Sequence, residues 1–246
     1  MRLVIHKQVA STQELAKDLA VRGEPEGLAI MALEQTKGRG RSGHGWVSPP
    51  GKNLAMSMIL RPRLAPKNAP MLGLMASIAV AEVVEAAIGR TVQLKWPNDV
   101  LVDGRKIAGI LPEASLNNRE IKFVIIGIGL NVNAKLKDFP PELRDSITSL
   151  LLLSAGTHWD LEATARDLLE GMDSLYHRVE REGCHFIPDL WTTRWIHKNA
   201  RLIRASVSYT AEGLDADGAL LIRSSNGELE RLTSAESELV WPDLRS

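Results

Sequence analysis

The run from Met71 to Ile88 constrains the fold of this chain more than any other. It follows a proline-bounded segment, Pro62 to Pro70, and Gly89 closes it, so it reads as one long helix. Its first half is apolar on every side. Such a helix is buried rather than amphipathic, so other elements must cover it all round. Apolar β runs can do so: Gly27 to Glu34, Asn53 to Leu60, Thr91 to Trp96 and Ile121 to Leu130. In the second run Leu54, Met56, Met58 and Leu60 fall on one side. The last is expected to be a central strand. Asp103-Gly104, between Val100-Leu101-Val102 and Lys106-Ile107-Ala108, is a strong two-residue hairpin signal.

Helices fill the remaining segments. Ser11-Thr12-Gln13-Glu14 has the spacing of a capping box, followed by Leu15, Ala16, Leu19 and Ala20 at helical intervals and a stop at Gly23. Pro141 to Leu153 and Leu161 to Arg181 read as helices, the second capped by Asp160. A short one is expected from Pro188 to His197, with Trp191 and Trp195 in the core. From about Ala200 the character changes. Arg201 to Tyr209, Gly218 to Arg223 and Leu229 to Leu232 read as short strands, with turns at Asp217-Gly218 and Asn226-Gly227. The fold class is therefore α+β, with a first unit over 1–195 and a small β-barrel or sandwich over 196–246.

Composition narrows the function. Lys+Arg and Asp+Glu are 30 each, so no global basic field exists to hold nucleic acid through bulk electrostatics. The single cysteine, Cys184, excludes an intramolecular disulfide and a multi-cysteine metal site, and is expected to be structural. The six histidines show no ligand spacing. The N-terminal apolar run is too short for a signal peptide, and no stretch is expected to reach membrane-spanning length. A reducing cytoplasm is the expected setting.

Four stretches carry chemistry. Gly38-Arg39-Gly40-Arg41-Ser42-Gly43-His44-Gly45-Trp46 alternates glycine with cations and ends on an indole. Such a loop can bring backbone N–H groups and guanidinium forks against an anion: a nucleic acid, a nucleotide or an activated carboxylate. It lacks the Gly-Lys-Ser/Thr ending of a P-loop, and no helix follows it as the dinucleotide fingerprint requires. In Lys95-Trp96-Pro97-Asn98-Asp99 the proline ends a strand and leaves two polar side chains at its tip. In Lys106-Ile107-Ala108-Gly109-Ile110-Leu111 alternation puts Lys106, Ala108 and Ile110 on one sheet face, where a lysine needs an anionic partner. In Gly127-Ile128-Gly129-Leu130-Asn131 the same period puts two glycines and Asn131 on one face, a trough with a polar end. Taken singly, these are more often a solvated turn, a turn-forming pair, a lysine reaching for water and packing glycines.

Together and in this order, they closely resemble the biotin protein ligases, over nearly the whole chain. The resemblance implies a central mixed-sheet catalytic domain of the biotin/lipoate ligase type over 1–195, followed by an SH3-like β domain over 196–246. The helix-turn-helix domain that precedes the catalytic domain in some members is not in this sequence, so no DNA binding is expected. The implied activity joins biotin to ATP as biotinyl-5′-adenylate. It then passes biotin to a lysine of a biotin carboxyl carrier domain of a carboxylase. Lys106 would bridge the biotin carboxylate and the α-phosphate, and Arg41 would retain the adenylate; these two are the implied catalytic residues. Ser11, Thr12, Gln13, Gln35, Arg39, Gly40, Arg41, Lys106, Gly109, Gly127 and Gly129 would hold biotin. Gln13 stands where the family usually has asparagine. Arg39, Arg41, Trp46, Asn98, Asp99 and Asn131 would serve ATP. Mg²⁺ would arrive with ATP near Asp99 and Asn131, with no metal held by a protein cluster. The loop would be a lid that orders over biotin or its adenylate, and Ala134 to Asp145 a second such loop. A homodimer is the preferred assembly, with no membrane partner.

A lipoate–protein ligase of the same fold is the nearest alternative; the Lys-Trp-Pro-Asn-Asp and Gly-Arg-Gly-Arg runs favour biotin. A non-enzymatic RNA-binding or adaptor protein is more remote. The neutral net charge and the lack of aromatics among the basic residues speak against it.

Overall fold

A computed structural model describes residues 1–117, 119–233 and 239–241. The strands and helices of the first part are β1 (Arg2–His6), α1 (Thr12–Val21), β2 (Leu28–Ala32), β3 (Leu54–Leu60), α2 (Ala69–Ile88), β4 (Gln93–Lys95), β5 (Asp99–Val102), β6 (Arg105–Asn117) and β7 (Glu120–Leu130), then α3 (Leu150–Leu153), α4 (Leu161–Glu182) and α5 (Ile187–Thr192). The seven strands form one mixed sheet in the order β1-β2-β3-β7-β6-β5-β4, parallel only between β1 and β2. A second, antiparallel sheet follows: β8 (Arg201–Arg204), β9 (Val207–Leu214), β10 (Leu220–Ser224) and β11 (Leu229–Leu232), in the order β11-β10-β9-β8. The mixed α+β class is as expected.

Alternation along the strands sorts the large sheet into two unlike faces. Leu54, Met56, Met58 and Leu60 point to one side and join Ile126, Ile128 and Leu130 in the main core, where α2 lies with α4 and α5 around it. The segment Pro66–Ile88 is long and apolar enough to cross a membrane by length and composition, contrary to the expectation from sequence. The difference arises because the helix runs back through a 3₁₀ turn at Pro66–Asn68, ahead of Met71. In this fold 67% of its most apolar window is buried among protein side chains. Trp191 and Trp195 belong to the same core, and Cys184 is a buried thiol. On the other face α1 covers Leu28, Ile30, Ile59, Phe123 and Ile125. It covers only part of that face and leaves β3, β7 and β6 open beside it.

Four local expectations are corrected. The capping box at α1 does not form: Ser11 makes no side-chain cap. Its hydroxyl is buried without a partner among the described residues, and Glu14 pairs with Arg39 instead. Pro141 to Leu153 is not one helix but a 3₁₀ turn at Pro141–Leu143 and the single turn of α3. Between them the backbone pairs with Lys106, whose N–H donates to Ser146 O (2.8 Å) and whose carbonyl accepts from Thr148 N (2.9 Å). α5 stops at Thr192 because residues 194–196 run along the outer edge of β4, bonding Leu94 on both sides. Arg201 to Tyr209 is two strands, since Ala205 and Ser206 both take positive φ and turn the chain without a glycine.

The two sheets meet at the start of α2. Gly218 (φ +80°) lies so close to Met71 and Leu74 that a Cβ there would stand 2.8 Å from each. Its carbonyl accepts from the Trp96 indole N–H at 3.2 Å.

Candidate active site

The open part of the α1 face holds a cavity of about 290 Å³. Its floor is the sheet itself: Ala55 and Ser57 from β3, Gly127 and Gly129 from β7, Gly109 and Leu111 from β6. The N-terminus of α1 forms one end and the Gly/Arg loop the roof. That loop folds into a small hairpin. Gly40 N–H donates to His44 O (2.7 Å) and Trp46 N–H to Gly38 O (3.1 Å), around a 3₁₀ turn at Arg41–Gly43.

One end of the cavity is a network of uncharged polar groups. Thr12 N–H donates to Gln35 Oε1 at 2.8 Å, and the Thr12 hydroxyl reaches the same oxygen at 3.1 Å. The Thr12 and Ser57 hydroxyls lie 2.8 Å apart, and Ser57 Oγ donates to Gln13 Oε1 at 3.1 Å. Gln13 Nε2 donates to Leu111 O at 3.3 Å. The free Ser11 hydroxyl stands beside this group. A buried hydroxyl without a partner costs about 1–3 kcal/mol, so a ligand able to bond it gains that much. Ser57, which sequence reasoning missed, is the hydroxyl in an otherwise apolar strand. Its position opposite Met56 and Met58 in the alternation was the available signal.

The other end is charged. Lys106 Nζ lies 2.6 Å from Asp99 Oδ1, with both side chains largely buried. It also lies 5.5 Å from the centre of the Trp46 ring. Arg41 Nη1 donates to Asn98 Oδ1 at 2.8 Å, and Asn98 Nδ2 is anchored on Ile110 O at 3.0 Å. Burial lowers the Arg41 pKa, against the opposing pull of Asp99. Arg39 pairs with Glu14 and stands 3.5 Å from Glu113 Oε1. Three cations thus meet at one end of a polar slot, an arrangement suited to bringing two anions together.

Lys106 reaches this cavity by a route that alternation does not provide. Val100 pairs with Ala108 but Leu101 with Lys106, so Ile107 is an extra residue in β6. The bulge puts Ile107 and Ala108 both on the core side, with Ile110. Lys106 is thereby turned onto the side of Gly109, in place of the face it was expected to share with Ala108 and Ile110. Its ammonium lies 3.3 Å from where a Gly109 Cβ would be.

The glycine trough is present, and this chain's own side chains lie in it. A Cβ on Gly129 would fall 2.3 Å from the Trp46 ring, and one on Gly127 2.5 Å from Gln13 Oε1. The glycines admit Trp46 and Gln13 onto the floor, and these two shape the remaining space. The Trp46 indole N–H is buried without a partner among the described residues. Asn131 is not brought to the wall. It is buried behind β7, accepting from Asn53 Nδ2 (3.0 Å) and donating to Thr148 O (3.1 Å). The other expected site residues, Ser11 through Gly129, all line the cavity. No trio of His, Cys, Asp or Glu could hold a metal among the described residues. Asp99 is engaged by Lys106, and Asn131 by two neighbours.

The chain is similar to known proteins along its whole length. Residues 5–131 match the biotin/lipoate A/B protein ligase family, and residues 206–239 the biotin protein ligase C terminal domain. Bifunctional ligase/repressor BirA of Bacillus subtilis is 36% identical over 241 residues, 96% of this chain and 74% of that one. Biotin–[acetyl-CoA-carboxylase] ligase of Mycobacterium tuberculosis is 37% identical over 151 residues, 58% of this chain and 53% of that one. The solved structure of biotin protein ligase from Aquifex aeolicus in complex with biotin and ATP matches with a TM-score of 0.81 at 28% identity, over 98% of this chain and 99% of that chain.

Proposed function

The chain belongs to the biotin/lipoate A/B protein ligase family, and from that premise we propose that it activates biotin with ATP and transfers it to a carboxylase carrier domain. The observation that carries this reading is the two-ended cavity. The uncharged end suits a ureido ring, which both donates and accepts hydrogen bonds: Ser11, Thr12, Gln13, Ser57 and Gln35 offer partners of each kind. A dithiolane ring would leave those groups unbonded, which disfavours lipoate.

The charged end suits the chemistry of activation. The biotin carboxylate attacks the α-phosphate, and pyrophosphate leaves. Lys106 lies between the two anions and lowers their repulsion, while Arg41 and Arg39 meet the phosphate and the new mixed anhydride. Asp99 holds the ammonium in place until substrate takes it over. The hairpin from Gly38 to Trp46 closes the roof and keeps water from the anhydride. Mg²⁺ is carried by the triphosphate in this reading, and no step is assigned to a protein-held ion. A lysine of the carrier then attacks the biotinyl carbonyl, and AMP leaves.

Biotin-dependent ATP–pyrophosphate exchange tests the proposal. Exchange with biotin and none with lipoate is expected; exchange driven by lipoate alone would overturn it. The division at 195/196 and the Trp46 role toward ATP belong to the same proposal. So does a homodimer, for which sedimentation at micromolar concentration gives the answer.

A further inference from the structure

A second cavity, of about 480 Å³, lies on the far side of the Gly/Arg hairpin. Arg39, Gly40, Arg41 and Asn98 line both cavities, so the hairpin is their common wall. The second one runs along β6 beyond Gly109, where pairing with β5 has ended and the strand edge is open. The start of α2 forms its floor, and Gly218 of the second sheet lies at its rim.

Glu113 stands in this opening. It shares the face of Gly109 and Leu111 by alternation. One carboxylate oxygen lies 3.5 Å from Arg39, and the other is buried without a partner among the described residues. Arg39 is also paired with Glu14, so one guanidinium serves two carboxylates. One Glu113 oxygen is thus left without a hydrogen-bond partner between the cavities, where an incoming ammonium can supply one. If Arg39 turns toward a phosphate, Glu113 loses that contact too.

Resting on the ligase reading above, we propose that the second cavity is the entry of the acceptor lysine and that Glu113 receives its ammonium and takes its proton. The lysine Nζ gives one proton to the Glu113 carboxylate, and its lone pair forms the amide bond to the biotinyl carbonyl carbon. The bond from that carbon to the phosphate oxygen breaks, AMP leaves with the electron pair and takes the second proton that the nitrogen sheds on becoming an amide, and the first proton passes from Glu113 to solvent. Activation precedes entry, because engaging Arg39 with the adenylate is what frees Glu113.

The test separates the two half-reactions in Glu113→Gln and Glu113→Asp. Adenylate is formed on each protein, then mixed with carrier domain or with hydroxylamine, a nucleophile already neutral at pH 7. For Glu113→Gln, transfer to the carrier is expected to fall by about 100-fold or more. The fall should shrink as pH rises toward the free lysine's pKa of roughly 10. Hydroxylamine trapping and pyrophosphate exchange should stay within a few-fold of wild type, and Glu113→Asp should recover part of the transfer. Carrier transfer at the wild-type rate overturns the proposal. So does an equal loss of hydroxylamine trapping or of exchange, which would make Glu113 part of activation or of the fold. Absence of biotin-dependent exchange in the wild type would sink the ligase reading instead.

Discussion

Single residues decide what the cavity can do, and two make the point. Lys106 is the cation shared between the anions, so Lys106→Ala is expected to cut pyrophosphate exchange by about 10²–10³-fold, the size of losing one preorganised charge partner. Exchange at the wild-type rate would show Lys106 to be an ordinary strand lysine paired with Asp99. Gly127 is fixed by Gln13, whose Oε1 lies 2.5 Å from where a Cβ would stand. Gly127→Ala should therefore raise the KM for biotin by pushing Gln13 off the floor. Gln13→Ser in the same chain should recover much of that loss, where additive effects would deny the coupling. Residue identity was legible for nearly the whole site, because unusual residue types stand there: glycines in a strand, arginines between glycines, polar side chains after a proline. Ser57 and Glu113 were less legible. A serine in a strand or a glutamate near its end is ordinary, and only the fold shows which face each takes.

At the scale of elements, the strands and long helices were readable from period alone. α2, α4 with its Asp160 cap and β7 stand where their patterns put them. Two of the failures share a cause: segments next to an open strand edge paired with it instead of following local preference. Residues 146–148 flank Lys106, and residues 194–196 flank Leu94. The bulge in β6 was illegible for a similar reason, since an extra residue shows itself only against its partner strand. Its importance can be measured. Inserting one residue between Val100 and Leu101 would give Ile107 a partner, restore simple alternation and turn Lys106 toward the apolar side of α2. That change is expected to lower the melting temperature as well as abolish exchange, because an unpaired ammonium in the core costs several kcal/mol. Lys106→Ala should spare most of the stability, and equal stability of the two variants would contradict the bulge's role.

Across the whole molecule, the joint between the two sheets sets a pH limit. His197 is fully buried and stacked on Trp241, 4.1 Å between ring centres, and burial pushes its pKa down to about 4. The unfolded chain binds this proton below about 6.5, and the folded one holds it off until about 4. Stability is therefore complete above pH 6.5 and falls between 6.5 and 4, by on the order of 3 kcal/mol. Denaturant midpoints across that window should show the slope, and His197→Phe should flatten it. The joint has a pharmacological side as well. Gly218 grips the Trp96 indole, two residues before the Asn98 that holds Arg41. A small molecule wedged between Gly218 and Leu74 would disturb Arg41 from outside the biotin slot. Its inhibition should be noncompetitive with biotin, and an inhibitor of that kind would owe its selectivity to a seam between modules, where it need not resemble the vitamin at all.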